Sequence, residues 1–288
     1  MYRSLNVILI LLLLVILAGG YVRIVEAGLA CPDWPLCHGQ LIPAFDHPEF
    51  GGKVFWEWGH RFLALIAFLA ILYFAARVWF SRPHYRKHLL LLVALFCLQA
   101  LLGALTVTEL LASPTVNLHF FNALILLSYF VWLRLRIDSK AKCDPPSMLV
   151  QGFLLAAMTL LVLQFIIGSV VSTTYSGYAC DSFPSCTGVW ELPTTRSQSL
   201  HMLHRLTGVV VLLVSCGYLL LPASGRRLRW ACCIVPMTAA LQVLLGVMSI
   251  YWGLSIVMRT LHFGVALILY LLMFTITCIY LLSRPKHA

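Results

Sequence analysis

Residues 149–172 read LVQGFLLAAMTLLVLQFIIGSVVS, a stretch without one charged side chain. A helix rises about 1.5 Å per residue, so a run of this length crosses the roughly 30 Å hydrocarbon core of a bilayer. Only helices or closed barrels satisfy their backbone polar groups there, and apolar runs this long are helices. Outward from it, further apolar segments recur at about 5–22, 60–80, 88–108, 118–136, 202–221, 229–251 and 260–282. Charged residues make up 10% of the 288 residues, against roughly 25% in a soluble domain, and hydrophobic residues make up 61%. The sequence predicts an all-α, polytopic membrane protein with eight transmembrane helices, and excludes a soluble globular fold.

The formal charge of +10 sits in short clusters between apolar segments, which reads as topology and not as a nucleic-acid patch. Arg77, Arg82, Arg86 and Lys87 lie in one connection, Arg134, Arg136, Lys140 and Lys142 in a second, and Arg226, Arg227 and Arg229 in a third. With Arg3, Arg284 and Lys286, these are fourteen of the twenty Lys and Arg, all on one side of an unbroken alternation. Both termini are therefore expected in the cytoplasm. The first segment could be mistaken for a signal peptide. Residues 19–37 have an echo later in the chain, so the segment is expected to stay as a span. No Arg/Ser-rich transit segment precedes it, which points to a prokaryotic plasma membrane.

The echo is an internal duplication. Cys31-Pro-Asp-Trp-Pro-Leu-Cys37 matches Cys180-Asp-Ser-Phe-Pro-Ser-Cys186 at a shift of 149, as do Gly19 with Gly168 and Gly39 with Gly188. His60-Arg61 matches His204-Arg205 at 144, and both Gln99-x-x-Leu102-Gly103 with Gln242-x-x-Leu245-Gly246 and Leu118-His119-Phe120 with Leu261-His262-Phe263 recur at 143. Two tandem four-helix bundles follow, residues 1–142 and 143–288, expected to be related by a pseudo-two-fold axis along the membrane normal. The join falls in the polar, Pro-containing stretch near 138–148.

Histidine is costly inside a membrane, and four of them occupy repeat-equivalent places: His60 and His204 opening the second and sixth spans, His119 and His262 the fourth and eighth. By the charge alternation all four lie toward the outer side. Two imidazoles from facing helices can supply both axial ligands of a haem iron, whereas zinc would need further donors. The halves differ in one respect. Glu57 stands three residues before His60, on the same helical face, and its equivalent is His201. A half with paired histidines and no acid suits a resident, electron-carrying haem. A half with an added carboxylate suits a site where bound material is transformed. The plain alternative for Glu57 is a helix-entrance residue or a partner for Arg61.

Cys31 and Cys37, and Cys180 and Cys186, lie in external loops in an oxidising compartment, and a C-x5-C pair in a short loop can close, so both pairs are expected as disulfides, bracing or redox-active. Cys97, Cys216, Cys232, Cys233 and Cys278 are expected as small buried hydrophobes, and Cys143 falls in a cytoplasmic loop. Arg23, Arg61 and Arg205 could meet haem propionates or simply anchor at the interface. Gly19, Gly20, Gly103, Gly168 and Gly246 are expected to allow close helix packing.

The segment Gly28 to Cys37, Glu57-x-x-His60-Arg61, Leu118-His119-Phe120 and their echoes His204-Arg205 and Leu261-His262-Phe263 resemble the haem A synthase family, in its cysteine-containing bacterial form, over about residues 17–270. The resemblance implies oxidation of the C8 methyl of haem O to a formyl group by successive hydroxylations, yielding haem A for terminal oxidases. It implies a substrate haem in the N-terminal half with Glu57, His60 and His119, and haem b as cofactor between His204 and His262. Implied partners are haem O, haem O synthase, terminal oxidase assembly factors, lipid and a second copy of the chain, without nucleic acid. Two departures are His201 and His38, each an extra histidine near a proposed site. Rival functions are a bis-histidine cytochrome b, a thiol-oxidising quinone reductase and a transporter.

Overall fold

A computed structural model of the chain describes residues 2–46, 51–137, 146–188, 192–223 and 225–283. Lys140, Lys142, Cys143, Arg284 and Lys286 lie outside the described residues, as does the Arg3 side chain. Eight α-helices follow in chain order: α1 (Tyr2–Ile24), α2 (Gly51–Ser81), α3 (Arg86–Thr108), α4 (Ser113–Ile137), α5 (Met148–Thr173), α6 (Arg196–Ser215), α7 (Arg226–Tyr251) and α8 (Ile256–Leu281). Among the described residues, each of the eight is long and apolar enough to cross a membrane.

The apolar segments mark these helices but not their first turns. α2 begins at Gly51, α4 at Ser113, α6 at Arg196 and α8 at Ile256, several residues ahead of the hydrophobic boundaries. The four histidines therefore do not open their helices, contrary to expectation. They sit two turns or so inside. For α6 and α8 the cause is capping, which hydropathy does not register. Thr195 accepts from Gln198 N while the Gln198 side chain returns to the Thr195 backbone, a complete capping box for α6. Ser255 accepts from Met258 N at the start of α8 and Ser147 from Val150 N at the start of α5. Pro114 sits in the first turn of α4, where a missing N–H costs nothing.

Contacts divide the chain into two compact units, Met1–Arg134 and Leu135–Ala288. In the first, α1 packs along α2, and α2 along α3. In the second, α5 meets α6, α6 meets α7, α7 meets α8 and α8 returns to α5, so the four close into a ring. The outward faces carry exposed Leu69, Phe80, Leu206 and Met237, as lipid-facing surfaces do. Cys232 and Cys278 are buried, but Cys97 and Cys216 are exposed, which corrects the expectation of uniformly buried thiols. A bilayer is as apolar as a core, so a thiol on a membrane helix gains nothing from facing inward.

Candidate functional site

Each candidate histidine rests against a glycine of the helix that precedes its own. A Cβ placed on Gly19 of α1 would fall 2.8 Å from His60 Cε1, one on Gly103 of α3 3.0 Å from His119 Cε1, one on Gly168 of α5 2.8 Å from His204 Cε1, and one on Gly246 of α7 3.2 Å from His262 Cε1. The glycines expected to serve helix packing are thus seats for four imidazole rings. Gly20 is not part of this set.

In the first unit, Gln99, one turn before Gly103, sets its amide nitrogen 3.2 Å from His119 Nδ1. The amide oxygen of Gln99 accepts from Asn122 Nδ2 at 2.7 Å, and Asn122 also donates to Leu95 O at 3.0 Å. The chain of bonds fixes the Gln99 amide with its nitrogen toward the ring, and so helps to hold the ring in place. His60 has no such glutamine, because the residue equivalent to Gln164 is Val15. Its Nδ1 is buried without a hydrogen-bond partner.

Glu57 is buried, only 4% exposed. Its Oε2 accepts from Cys31 N at 2.7 Å, and its Oε1 pairs with Arg61 at 2.6 Å. Arg61 NH1 donates to Asp33 O and Leu36 O, each at 2.6 Å, while NH2 also donates to Cys31 O at 3.0 Å. The loop so held contains the Cys31–Cys37 disulfide. Asp33 closes it from within, its two carboxylate oxygens accepting from His38 N at 2.7 Å and Gly39 N at 2.8 Å. Gly39 N–H, with His38 N–H and the Arg61 guanidinium, holds the exposed Asp33 carboxyl below the usual carboxylate range. Gly39 takes φ +74°, which a side chain would resist. The His38 ring is exposed and sets Nε2 2.9 Å from Ala30 O, within its own loop.

The second unit repeats this plan with different chemistry. His204 Nδ1 lies 3.1 Å from the Gln164 amide nitrogen, and the Gln164 oxygen accepts from Thr207 Oγ1. His262 meets the Gln242 amide nitrogen at 3.2 Å. The His204 and His262 ring centroids are 6.4 Å apart at an interplanar angle of 78°. Arg205 NH1 donates to Ser182 O at 2.7 Å and Ser185 O at 2.8 Å, the carbonyls equivalent to those that Arg61 binds. Ser182 Oγ accepts from Gly188 N at 2.5 Å, in the role of Asp33, and Cys180 bonds to Cys186. His201 is buried in the Glu57 position, with Nδ1 unpartnered.

Residues that the sequence alone did not single out are Asn122, Gln164, Asp33 as a loop clasp and Arg259. Arg259 lies on α8 one turn before His262, and its Nε is buried without a partner. Arg23 occupies the last turn of α1. A cavity of about 540 Å³ lined by Leu219, Leu221, Pro222, Arg229, Cys232 and Cys233 opens at the other end of the second unit, away from the histidines. Among the described residues no three His, Cys, Asp or Glu converge as for a metal ion. The imidazoles come in pairs, and two imidazoles are enough to fill both axial positions of a haem iron.

Known proteins share this sequence over most of its length. The chain is 28% identical to a protein named Heme A synthase from Shewanella oneidensis, with 94% of each chain covered. It is 28% identical to the Heme A synthase of Halalkalibacterium halodurans, with 99% of each covered, and 30% identical to that of Bacillus pumilus, with 88% of this chain and 87% of the relative covered. The model of the COX15-CtaA family, described as cytochrome oxidase assembly protein, matches residues 2–274, so the chain belongs to that family.

Proposed function

We infer that the chain is a membrane oxidoreductase, a haem A synthase that converts haem O to haem A by oxidising the C8 methyl to a formyl group through successive hydroxylations. The observation that carries this is the contrast at one repeat position: buried Glu57 beside His60 in the first unit, buried His201 beside His204 in the second. Substrate haem O belongs with Glu57, His60 and His119. Haem b belongs between His204 and His262. A metal–imidazole bond is about 2 Å, so one metal between two rings sets their centroids roughly 6 Å apart, and the separation of 6.4 Å fits. Haem b would supply a one-electron carrier.

Glu57 is held in a fixed position. Both oxygens are engaged by Cys31 N–H and Arg61, an arrangement suited to stabilising positive charge that develops on a substrate carbon. The alternative role, activating water, would use the acceptor sites that those two bonds leave open. Arg23, Arg61 and Arg205 stand as propionate partners with unequal means, since the terminal nitrogens of Arg61 already serve the loop and Glu57. The disulfides act as braces for loops that the two arginines pin to their helices. The termini lie in the cytoplasm of a prokaryotic cell and the histidines toward the outer side of its plasma membrane, with haem O synthase, oxidase assembly factors or a second copy as partners.

Glu57→Gln tests the reading. Haem b content of the purified variant should match wild type, while haem A in cells relying on it falls at least about tenfold, since a positioned acid or base contributes roughly 10²–10⁴ in rate. Haem O or a hydroxylated intermediate should accumulate. Normal haem A would remove Glu57 from the chemistry, and haem b without haem O or haem A in the wild type would leave only a cytochrome.

A further inference from the structure

The two units differ in the charge that surrounds their histidine pairs. In the first, Glu57 gives Arg61 a carboxylate partner at 2.6 Å, and the position equivalent to Arg259 is Val116. In the second, His201 replaces the acid, so Arg205 has no carboxylate at the matching place. Arg205 spends NH1 on the loop carbonyls of Ser182 and Ser185 and keeps Nε and NH2 buried with no hydrogen-bond partner. Asp181 of the same loop acts on Arg205 electrostatically but forms no hydrogen bond with those two nitrogens. Arg259 Nε is likewise buried and unpartnered. Helical side chains lean toward the N-terminus of their helix. Arg205 follows His204 directly on α6 and reaches the loop ahead of that helix, and Arg259 precedes His262 by one turn on α8, so both residues stand near the helix beginnings that form the rim of the second histidine pair.

Buried donors left without acceptors are costly, and a guanidinium more so than a neutral group. A ligand that brings two carboxylates to this rim would satisfy them. We propose that Arg205 and Arg259 form a carboxylate clamp that retains the resident haem of the second unit through its two propionates, and that the first unit lacks this clamp so that a haem can enter and leave. The proposal rests on the assignment of haem b to His204 and His262. It explains why a duplicated fold keeps one porphyrin and turns over another: at one rim the arginine is held by a carboxylate, and at the other two arginines keep buried nitrogens without partners.

The test is the rate at which haem b leaves the purified holoprotein to excess apomyoglobin, read with the low-spin spectrum and the reduction potential. Arg259→Gln should release haem b about tenfold faster or more, as expected for loss of a charge-assisted hydrogen bond. The bis-histidine spectrum should persist and the potential should fall, because a cation that favours the reduced form is gone. Arg259→Lys, which keeps the charge without the planar fork, should fall between the two. Haem b release within twofold of wild type in both variants, with haem b bound, would overturn the clamp and leave the haem assignment standing. Haem b missing from the wild-type protein, or a spectrum that survives His204→Ala and His262→Ala, would overturn the assignment and the clamp with it.

Discussion

Arg61 ties three loop carbonyls and one carboxylate to α2 through two terminal nitrogens. Arg61→Lys keeps the charge but cannot reproduce the fork, so the Cys31–Cys37 disulfide should be reduced about tenfold faster, given that hydrogen bonds to charged groups contribute about 1.5–3 kcal/mol each before solvent screening. Alkylation and mass measurement after timed reduction would check this, and an unchanged rate would mean the staple is dispensable. Asp33 adds a pH dependence of known sign. Its carboxyl is held low by Gly39 and His38 N–H, so its grip is complete above the unfolded value of about 3.9 and is lost only as pH falls through the lower folded value. Reduction by a phosphine, compared between wild type and Asp33→Asn, should show a difference that stays constant from about pH 7 to pH 5. The histidines and cysteines were legible in the sequence because each recurs at a fixed shift. The loop staple was not, because Arg61 binds carbonyls, and a carbonyl leaves no mark on a sequence. Arg259 escaped for the opposite reason: a search for repeats passes over a residue whose equivalent is Val116.

At the scale of elements, hydropathy located all eight helices yet began four of them late, since it measures what lipid tolerates and not where backbone hydrogen bonding starts. The capping box of Thr195 and Gln198 starts α6 two turns ahead of His204. Thr195→Ala should cost about 0.5–2 kcal/mol and lower the thermal midpoint in detergent, with the haem b spectrum retained because His204 lies beyond the frayed turn. Loss of haem b with no change in midpoint would show that the first turn of α6 serves the site directly. The helical glycines were visible as a pattern, but their use was hidden. A glycine announces a missing side chain without naming what fills the space, and here an imidazole does so four times.

Across the whole molecule, each histidine pair belongs to a single unit, so damage to one should spare the other. Gly168→Val would drive a side chain into the His204 ring, already 2.8 Å from a hypothetical Cβ, and should abolish the haem b spectrum. Gly19→Val, aimed at His60 from the same distance, should keep haem b and lose haem A formation. Pigment extraction from both variants checks the pair, and loss of haem b in both would tie the two sites together. Every ring and its seat also lie on consecutive helices: α1 with α2, α3 with α4, α5 with α6, α7 with α8. This has a consequence for biogenesis. Each hairpin leaving the translocon is expected to carry a finished half-socket, ring against backbone, before the next hairpin has been synthesised. On the proposed haem assignment an iron site arises when two such hairpins meet, so haem loading is expected after insertion, with hairpin docking the event on which it waits.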